Sequence, residues 1–266
     1  MDALNLEQAL LVERHHAESF VAEGMVPGAE VHRDRDVTWI VHSGHAWRNA
    51  GIMVRFSAAS AEHRLDTLLV RYQQHGRGMA LWVSPSATPE HLPALLRARR
   101  LRCQKYFPAM LRTLADTVPR RAVPGALEIR PVVDVEEYKR TPHPAIGPIT
   151  TPLRRQAFER LRALVTDRSG RTRAFVAWLK ERPVGAIELF LGSESAGLHS
   201  LTVLDGYRGS GIGSALIEHV CKDAVRSGAK TMVLLASAEG QRLYEQRGFR
   251  EVGRFGYWYR SFQRAG

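Results

Sequence analysis

The sequence has little cysteine, little lysine and no long apolar run. Its 266 residues include two cysteines. Cys103 and Cys221 stand far apart without C-x-x-C or Cys/His ligand spacing, so neither a disulfide framework nor a zinc site is expected. No apolar stretch approaches the ~18 residues that span a bilayer, and the first residues lack a signal-type apolar core. We therefore expect a cytoplasmic protein with no membrane span and no bound metal.

The sequence is also not of low complexity, because it has only 22 Gly and 13 Pro and its hydrophobic fraction is 44%. Domains average about 150 residues, so this length predicts two compact domains or one large one. The segment Asp116 to Gly125 carries two prolines and two arginines without apolar periodicity, which is typical of a boundary. We predict domains at residues 1–118 and 127–266 joined by a linker at 119–126, and we expect residues 1–118 to fold alone.

Basic residues are in excess, since 38 Lys and Arg against 27 Asp and Glu give a formal net charge of +11. Such a charge favours polyanionic partners, either nucleic acid or the phosphates of a nucleotide cofactor. The basic run Arg97 to Arg102 follows a helix with a leucine face and is interpreted as a solvated helix end. The run Arg254 to Arg260 alternates basic and aromatic residues, which fits either a nucleic-acid surface or a closing strand.

The pair His42 and His45 resembles two metal ligands at first sight. No Cys, Asp or Glu stands beside them at ligand spacing, so the segment is interpreted as a surface loop.

Hydrophobic periodicity predicts an α/β protein. Helices are expected at residues 4–23, 61–74, 134–140, 153–164 and 240–247, with further helices starting after Thr88 as N-cap and at Ile212. Strands are expected at residues 37–41, 51–56, 79–83, 104–111, 127–131, 172–179, 184–191, 199–203 and 231–235.

The segment that carries chemistry is the glycine-rich loop from Arg208 to Gly213. It follows a strand and opens directly into a helix, so unpaired amides at the helix start point at one spot with the positive end of the helix dipole behind them. This is an anion site, and glycine lets the backbone approach a phosphate closely. A Walker A loop would need Lys after Gly213, where Ser214 stands, and the spacing of a Rossmann fingerprint differs.

Arg208-x-x-Gly211-x-Gly213 resembles the acyl-CoA loop of the GCN5-related N-acetyltransferases, or GNAT superfamily. The segment from Ser237 to Phe249 is similar to the second signature of that family, N-x-x-A-x-x-L-Y-x-x-x-G-F, with Ser237 in place of Asn and Gly240 in place of Ala. The resemblance covers about residues 125–262. The upstream half resembles a degenerate copy in which Thr88-Pro89-Glu90 replaces the glycines, as in tandem members of the family.

The resemblance implies the acyl-CoA N-acyltransferase fold, a mixed twisted sheet flanked by helices, twice in tandem. It also implies acetyl-CoA as cosubstrate, and Tyr244 as the general acid that protonates the departing thiolate. Strand backbone near Val203 would pair with pantetheine and supply an oxyanion donor. The residues implied in cofactor binding are Leu201, Thr202, Val203, Arg208, Gly209, Ser210, Gly211, Ile212, Gly213, Ser214, Ser237, Gly240 and Tyr244.

The general base stays open among Glu188, His199 and Glu194, with Glu188, a lone acid in an apolar strand, placed first. The leading hypothesis is an N-acyltransferase that moves acetyl from acetyl-CoA to a primary amine of a small molecule or amino acid by direct attack. The alternative is a non-catalytic basic adaptor that senses CoA or binds nucleic acid. The sequence leaves a homodimer open.

Overall fold

The structure of the chain, a computed structural model, describes residues 3–24, 29–42, 49–75, 78–115, 122–134 and 170–262. The helices predicted at 134–140 and 153–164 lie outside these residues, apart from Asp134.

Helices and strands alternate along the described part of the chain. The helices are α1 (Ala3–Gly24), α2 (Ala61–Gln74), α3 (Leu92–Ala98), α4 (Ile212–Arg226) and α5 (Ala238–Glu245). The strands are β1 (Ala29–Arg33), β2 (Thr38–His42), β3 (Ala50–Ile52), β4 (Met79–Val83), β5 (Arg102–Thr113), β6 (Leu127–Pro131), β7 (Thr172–Leu179), β8 (Arg182–Leu191), β9 (Ala196–Val203), β10 (Thr231–Leu235) and β11 (Arg250–Arg260). A short 3-10 helix, Asp205–Tyr207, follows β9. The predicted bounds of α2, β4, β6 and β10 are confirmed.

One helix start was predicted wrongly. Helix α3 begins at Leu92 with His91 as its N-cap residue, not after Thr88. The hydrogen-bond donors of Thr88 bind a different segment, because its amide donates to Val54 O and its hydroxyl to Phe56 O. Thr88 therefore ties the loop after β4 to the loop after β3, and the helix starts one turn later.

The described chain forms two compact units that do not follow the linear order of the sequence. Unit 1 comprises Met1–Ala109, Leu235–Ala238 and Glu251–Gly266, and unit 2 comprises Met110–Leu234 and Glu239–Arg250. Strand β11 belongs to unit 1 because it pairs antiparallel with β4, from Gly256 opposite Val83 to Arg260 opposite Met79. Residues 127–266 therefore do not make up one compact unit.

We expect a fragment of residues 1–118 to lack a cooperative unfolding transition, because β4 would lose its antiparallel neighbour β11 and expose an unpaired edge. Circular dichroism during urea titration measures this. A matched control appends residues 250–260 through a glycine-serine linker and should restore a transition. Cooperative unfolding of the shorter fragment would contradict the expected role of β11.

Unit 1 has the strand order β1-β2-β3-β4-β11-β5. Helix α2 covers its core with the predicted apolar face, since Leu65, Leu68, Leu69 and Tyr72 are buried. The Tyr72 hydroxyl donates to Ile40 O at 3.1 Å, which fixes the helix on β2.

Unit 2 has the strand order β6-β7-β8-β9-β10, with the end of β5 beside β10 through Leu114 N donating to Lys230 O. Helix α4 packs on β7, β8 and β9. The Cβ position of Gly185 in β8 lies 3.0 Å from the Leu216 side chain, so glycine is needed for this close approach of helix and strand.

Candidate functional site

Two parallel strands of unit 2, β9 and β10, separate near the start of β9. Among the described residues, β9 and β10 pair only through Ala196 with Met232 and Gly197 with Val233. Strand β9 then continues for six residues to Val203, and its side chains change from buried to half-buried after Leu198. Because β9 runs on beyond its pairing with β10, its main chain has no β10 partner from residue 198 onward. The predicted residues Leu201, Thr202 and Val203 lie on this stretch.

A bulge accompanies the separation of the strands. Ala186 of β8 stands opposite Thr202, whereas Glu188 stands opposite His199, so β9 has one extra residue between these pairs. Ser200 lies in this extra position with φ of 55°, in the left-handed region. A bulge bends its strand and increases the local twist, which is consistent with β9 turning away from β10.

The glycine-rich loop has the geometry of an anion site. Gly209 and Gly211 have φ of 78° and 87°, which glycine adopts without steric cost, and Gly211 is the N-cap residue of α4. The first intrahelical bond runs from Ala215 N to Gly211 O at 3.0 Å. The amides of Ile212, Gly213 and Ser214 precede that bond and lie at the positive end of the helix dipole.

Close packing also requires two of these glycines. A Cβ on Gly211 would overlap the Ala122 carbonyl oxygen, and a Cβ on Gly213 would lie 3.1 Å from the Leu243 side chain and 3.8 Å from Val203. The end of β9, the first turn of α4 and helix α5 therefore meet at Gly213. The loop is consequently both a tight turn and an anion-binding shape.

The side chains of the loop hold its shape. Ser210 Oγ donates to Tyr207 O at 2.6 Å, and Arg208 Nε donates to Val203 O at 3.3 Å. Arg208 also pairs with Asp205 and stays exposed. The Ser214 hydroxyl is different, because it is buried and has no hydrogen-bond partner among the described residues. It lines a cavity of about 300 Å³ beside α4.

Helix α5 places Tyr244 in unit 2. The ring is buried edge-on against Phe249 with centroids 5.8 Å apart. Burial raises the pKa of Tyr244 to about 12, so the phenol keeps its proton at neutral pH. Gly240 lies within the same helix, and Ser237 directly precedes it.

The three candidate bases have different surroundings. Glu188 is only 3% exposed, and Ser200 Oγ donates to its Oε2 at 3.1 Å. His199 stands opposite Glu188 and meets Phe190 edge-on. Glu194 is exposed in the turn between β8 and β9. Of these three candidates, only Glu188 is a buried carboxylate. Ser200 could not be predicted from the sequence, because its neighbours indicate neither a bulge nor a positive φ.

Unit 1 repeats the strand-helix-strand crossover of unit 2. Strands β3 and β4 are parallel, with Ala50 opposite Ala80, and α2 connects them, as α4 connects β9 and β10. The counterpart of the glycine-rich loop is therefore residues 53–60, not Thr88-Pro89-Glu90 as predicted. This loop has no glycine. One of its helix-start amides is used internally, because Ala61 N donates to Ser57 O, as does the amide of the N-cap residue Ser60.

A buried polar cluster adjoins this counterpart loop. Glu13 of α1 is fully buried and accepts hydrogen bonds from Arg55, Ser84 and Ser86. Ser84 and Ser86 directly follow β4, and Arg55 lies in the loop after β3. The polar side chains at the ends of these two strands are thus hydrogen-bonded within this cluster.

None of the described helices is both long and apolar enough to cross a membrane. No group of three or more His, Cys, Asp or Glu residues in the described ranges is arranged to hold a metal ion. His42 ends β2, and His45 lies outside the described residues.

Comparisons with known proteins agree with this geometry. The family model described as acetyltransferase (GNAT) domain matches residues 170–251. A GCN5-related N-acetyltransferase from Kribbella flavida is 14% identical over 96% of each chain, with a TM-score of 0.69. A tandem GNAT protein from the clavulanic acid biosynthesis pathway is 15% identical over 98% of this chain and 95% of its own, with a TM-score of 0.62.

A GCN5-related N-acetyltransferase from Sphaerobacter thermophilus is 17% identical over 88% of this chain and 76% of its own, with a TM-score of 0.56. None of the curated proteins matches the sequence. At these identities the structural likeness shows the fold, so the predicted acyl-CoA N-acyltransferase fold is confirmed.

Proposed function

We propose, from the premise that residues 170–251 form a GCN5-related N-acetyltransferase domain, that this chain transfers an acyl group from acyl-CoA to a primary amine. Acetyl is the acyl group proposed, and a small molecule or amino acid is the proposed acceptor. The observation that carries the proposal is the separation of β9 from β10 beside a helix capped by Gly211. This arrangement offers strand backbone and helix-start amides to one extended, phosphate-bearing ligand.

Acetyl-CoA fits the groups present. The amides of Ile212, Gly213 and Ser214 would hold the pyrophosphate, with the buried Ser214 hydroxyl as a further donor. The main chain of Leu201 to Val203 would pair with pantetheine. The bound cosubstrate supplies an activated thioester, and a β9 amide would donate to its carbonyl.

Acid and base roles follow from burial. Glu188 would accept the proton of the attacking amine, because a buried carboxylate held by a hydroxyl is well oriented for proton transfer. Tyr244 would donate its proton to the departing thiolate. His199, opposite Glu188, is the competing base, and the variants Glu188→Gln and His199→Gln separate the two.

Direct attack is favoured over a covalent cysteine relay. Cys221 is buried on α4, and burial raises the pKa of its thiol to about 12, so it stays protonated and unreactive. Both cysteines are free thiols, which suits the reducing cytoplasm that we propose as the location.

The alternative of a nucleic-acid adaptor depended on the run Arg254 to Arg260. This run is part of β11, where Phe255 and Trp258 are buried. Arg254 pairs with Glu251, and Arg260 donates to Arg99 O. This burial and these side-chain contacts favour the interpretation of the run as a closing strand over that of a nucleic-acid surface.

We expect Ser210→Asp to weaken acetyl-CoA binding by about tenfold or more relative to Ser210→Asn. The two side chains have the same shape, but only the carboxylate repels a pyrophosphate. Ser210 is exposed, whereas Gly211 packs on Ala122, so a larger side chain fits at Ser210, and both variants lose the hydroxyl that donates to Tyr207 O. Isothermal titration calorimetry gives the two dissociation constants.

Equal affinity of both variants for acetyl-CoA would remove the loop from the binding site. A panel of amines with detection of released thiol then identifies the acceptor. Titration with duplex DNA at two salt concentrations tests the adaptor alternative, because nonspecific DNA binding collapses with salt.

A further inference from the structure

Ser200 has a backbone conformation that its residue type does not favour. Its φ of 55° lies in the left-handed region, where glycine and asparagine are the usual residues. It is the extra residue of the β9 bulge. The bulge alone would be served better by glycine, so the conformation does not explain a serine there.

The hydroxyl of Ser200 points across the sheet to Glu188. Ser200 Oγ lies 3.1 Å from Glu188 Oε2, and the Ser200 carbonyl accepts a hydrogen bond from Thr202 Oγ1 at 3.4 Å. A buried carboxylate needs donors to remain ionised, and a hydroxyl donor also fixes its orientation. The bulge therefore brings a donor to Glu188 at the point where β9 leaves β10.

Strand register gives two neighbours of Glu188. The register places Ala174 of β7 on one side and His199 of β9 on the other. Gly185 faces α4, and side chains alternate along a strand, so Glu188 lies on the face of the sheet opposite α4. The titratable groups of α4 are thus across the sheet, and His199 is the titratable neighbour that the described strands supply.

We propose that Ser200 is a positioning residue that holds the Glu188 carboxylate ionised and aimed at the acceptor amine. This inference rests on the proposed function, in which Glu188 is the base. The effect of Ser200 on the Glu188 carboxylate does not rest on the proposed function, because the hydrogen bond exists whether or not the chain transfers acyl groups.

The first test follows the Glu188 carboxyl carbon by NMR during a pH titration of the full chain, with Glu188→Gln used to assign the signal. A hydroxyl donor stabilises the carboxylate and not the acid, so losing it moves the midpoint to higher pH. We expect Ser200→Ala to raise the midpoint by about one pH unit. Ser200→Cys, with its weaker thiol donor, should raise it by less.

Two controls separate the hydroxyl from the backbone. Ser200→Gly removes the hydroxyl and relieves the positive φ, so it should shift the midpoint as Ser200→Ala does while raising the melting temperature. Ser227→Ala removes a hydroxyl that donates to Asp223 O at the end of α4 and should leave the midpoint unchanged. An unmoved midpoint in Ser200→Ala and Ser200→Gly would overturn the proposal.

The second test measures kcat/KM as a function of pH. In Ser200→Ala the acidic limb should move to higher pH by the same amount as the NMR midpoint, while acetyl-CoA affinity stays unchanged. If Glu188→Gln retains full activity, the assignment of the base fails. If Glu188→Gln is inactive but Ser200→Ala keeps the original acidic limb, only the role of Ser200 fails.

Discussion

Tyr244→Phe should slow acyl transfer by about 10²- to 10⁴-fold, in kcat and kcat/KM together, which is the typical effect of losing a general acid. The substitution removes only the hydroxyl and keeps the ring against Phe249. Acetyl-CoA affinity should therefore stay the same. Steady-state rates with an identified acceptor, and calorimetric binding of acetyl-CoA, measure the two quantities.

The pH dependence provides a second check on Tyr244. Burial raises its pKa to about 12, so the phenol remains a proton donor through neutral and moderately alkaline pH. If the pH–rate profile has an alkaline limb that depends on Tyr244, this limb should lie near pH 12 and not near pH 10. The same limb should be absent from the profile of Tyr244→Phe. Tyr106→Phe, which changes an exposed tyrosine of β5, is the matched control and should keep the full rate. Full activity of Tyr244→Phe would assign Tyr244 to packing alone.

Arg55→Met should lower the free energy of unfolding of unit 1 by about 3 to 5 kcal/mol, because it leaves a buried carboxylate without its charged partner. Glu13 is fully buried, and Arg55 binds it through both terminal nitrogens. Urea denaturation of the full chain, followed by hydrogen exchange of α1 and β4 amides, measures the loss. The double variant Arg55→Met with Glu13→Leu should recover most of it.

An exposed ion pair of the same unit gives the control for Arg55. Glu62 pairs with Arg99 at 3.2 Å but is 70% exposed, so Glu62→Gln should leave stability nearly unchanged. If Arg55→Met proves as mild as Glu62→Gln, the Glu13 cluster does not stabilise unit 1. Its place at the ends of β3 and β4 would then call for another explanation.

The glycine-rich loop and the Tyr244 helix could be identified from sequence because their chemistry is local. A helix cap with positive φ requires glycine at Gly211, and the signature around Leu243-Tyr244 lies within one helix and the turn after it. Because the residues of each feature are close together in the chain, their spacing in the sequence corresponds directly to their arrangement in space. The predicted bounds of α2 and β10 were confirmed for the same reason, since helical and strand periodicity are local properties.

The counterpart loop in unit 1 could not be found in this way. Residues 53–60 contain no glycine, and only the parallel pairing of β3 with β4 shows that they occupy the equivalent place. The donor to Glu188 was missed for a related reason. Ser200 and Glu188 are twelve residues apart, and a one-residue bulge decides that they meet.

The sequence by itself determined the α/β class, the glycine-rich loop before a helix, the tyrosine on a later helix and an acid in an apolar strand as one of several candidate bases. These depend on periodicity, on glycine at a helix cap and on residue chemistry within a few positions. Only the tertiary structure decided that β11 completes unit 1, that Glu188 is buried beside Ser200, and that Glu13 and Arg55 occupy the strand ends of unit 1. Each of these depends on hydrogen bonds between segments far apart in the chain, and strand register, which sets those bonds, is decided by packing rather than by neighbouring residues.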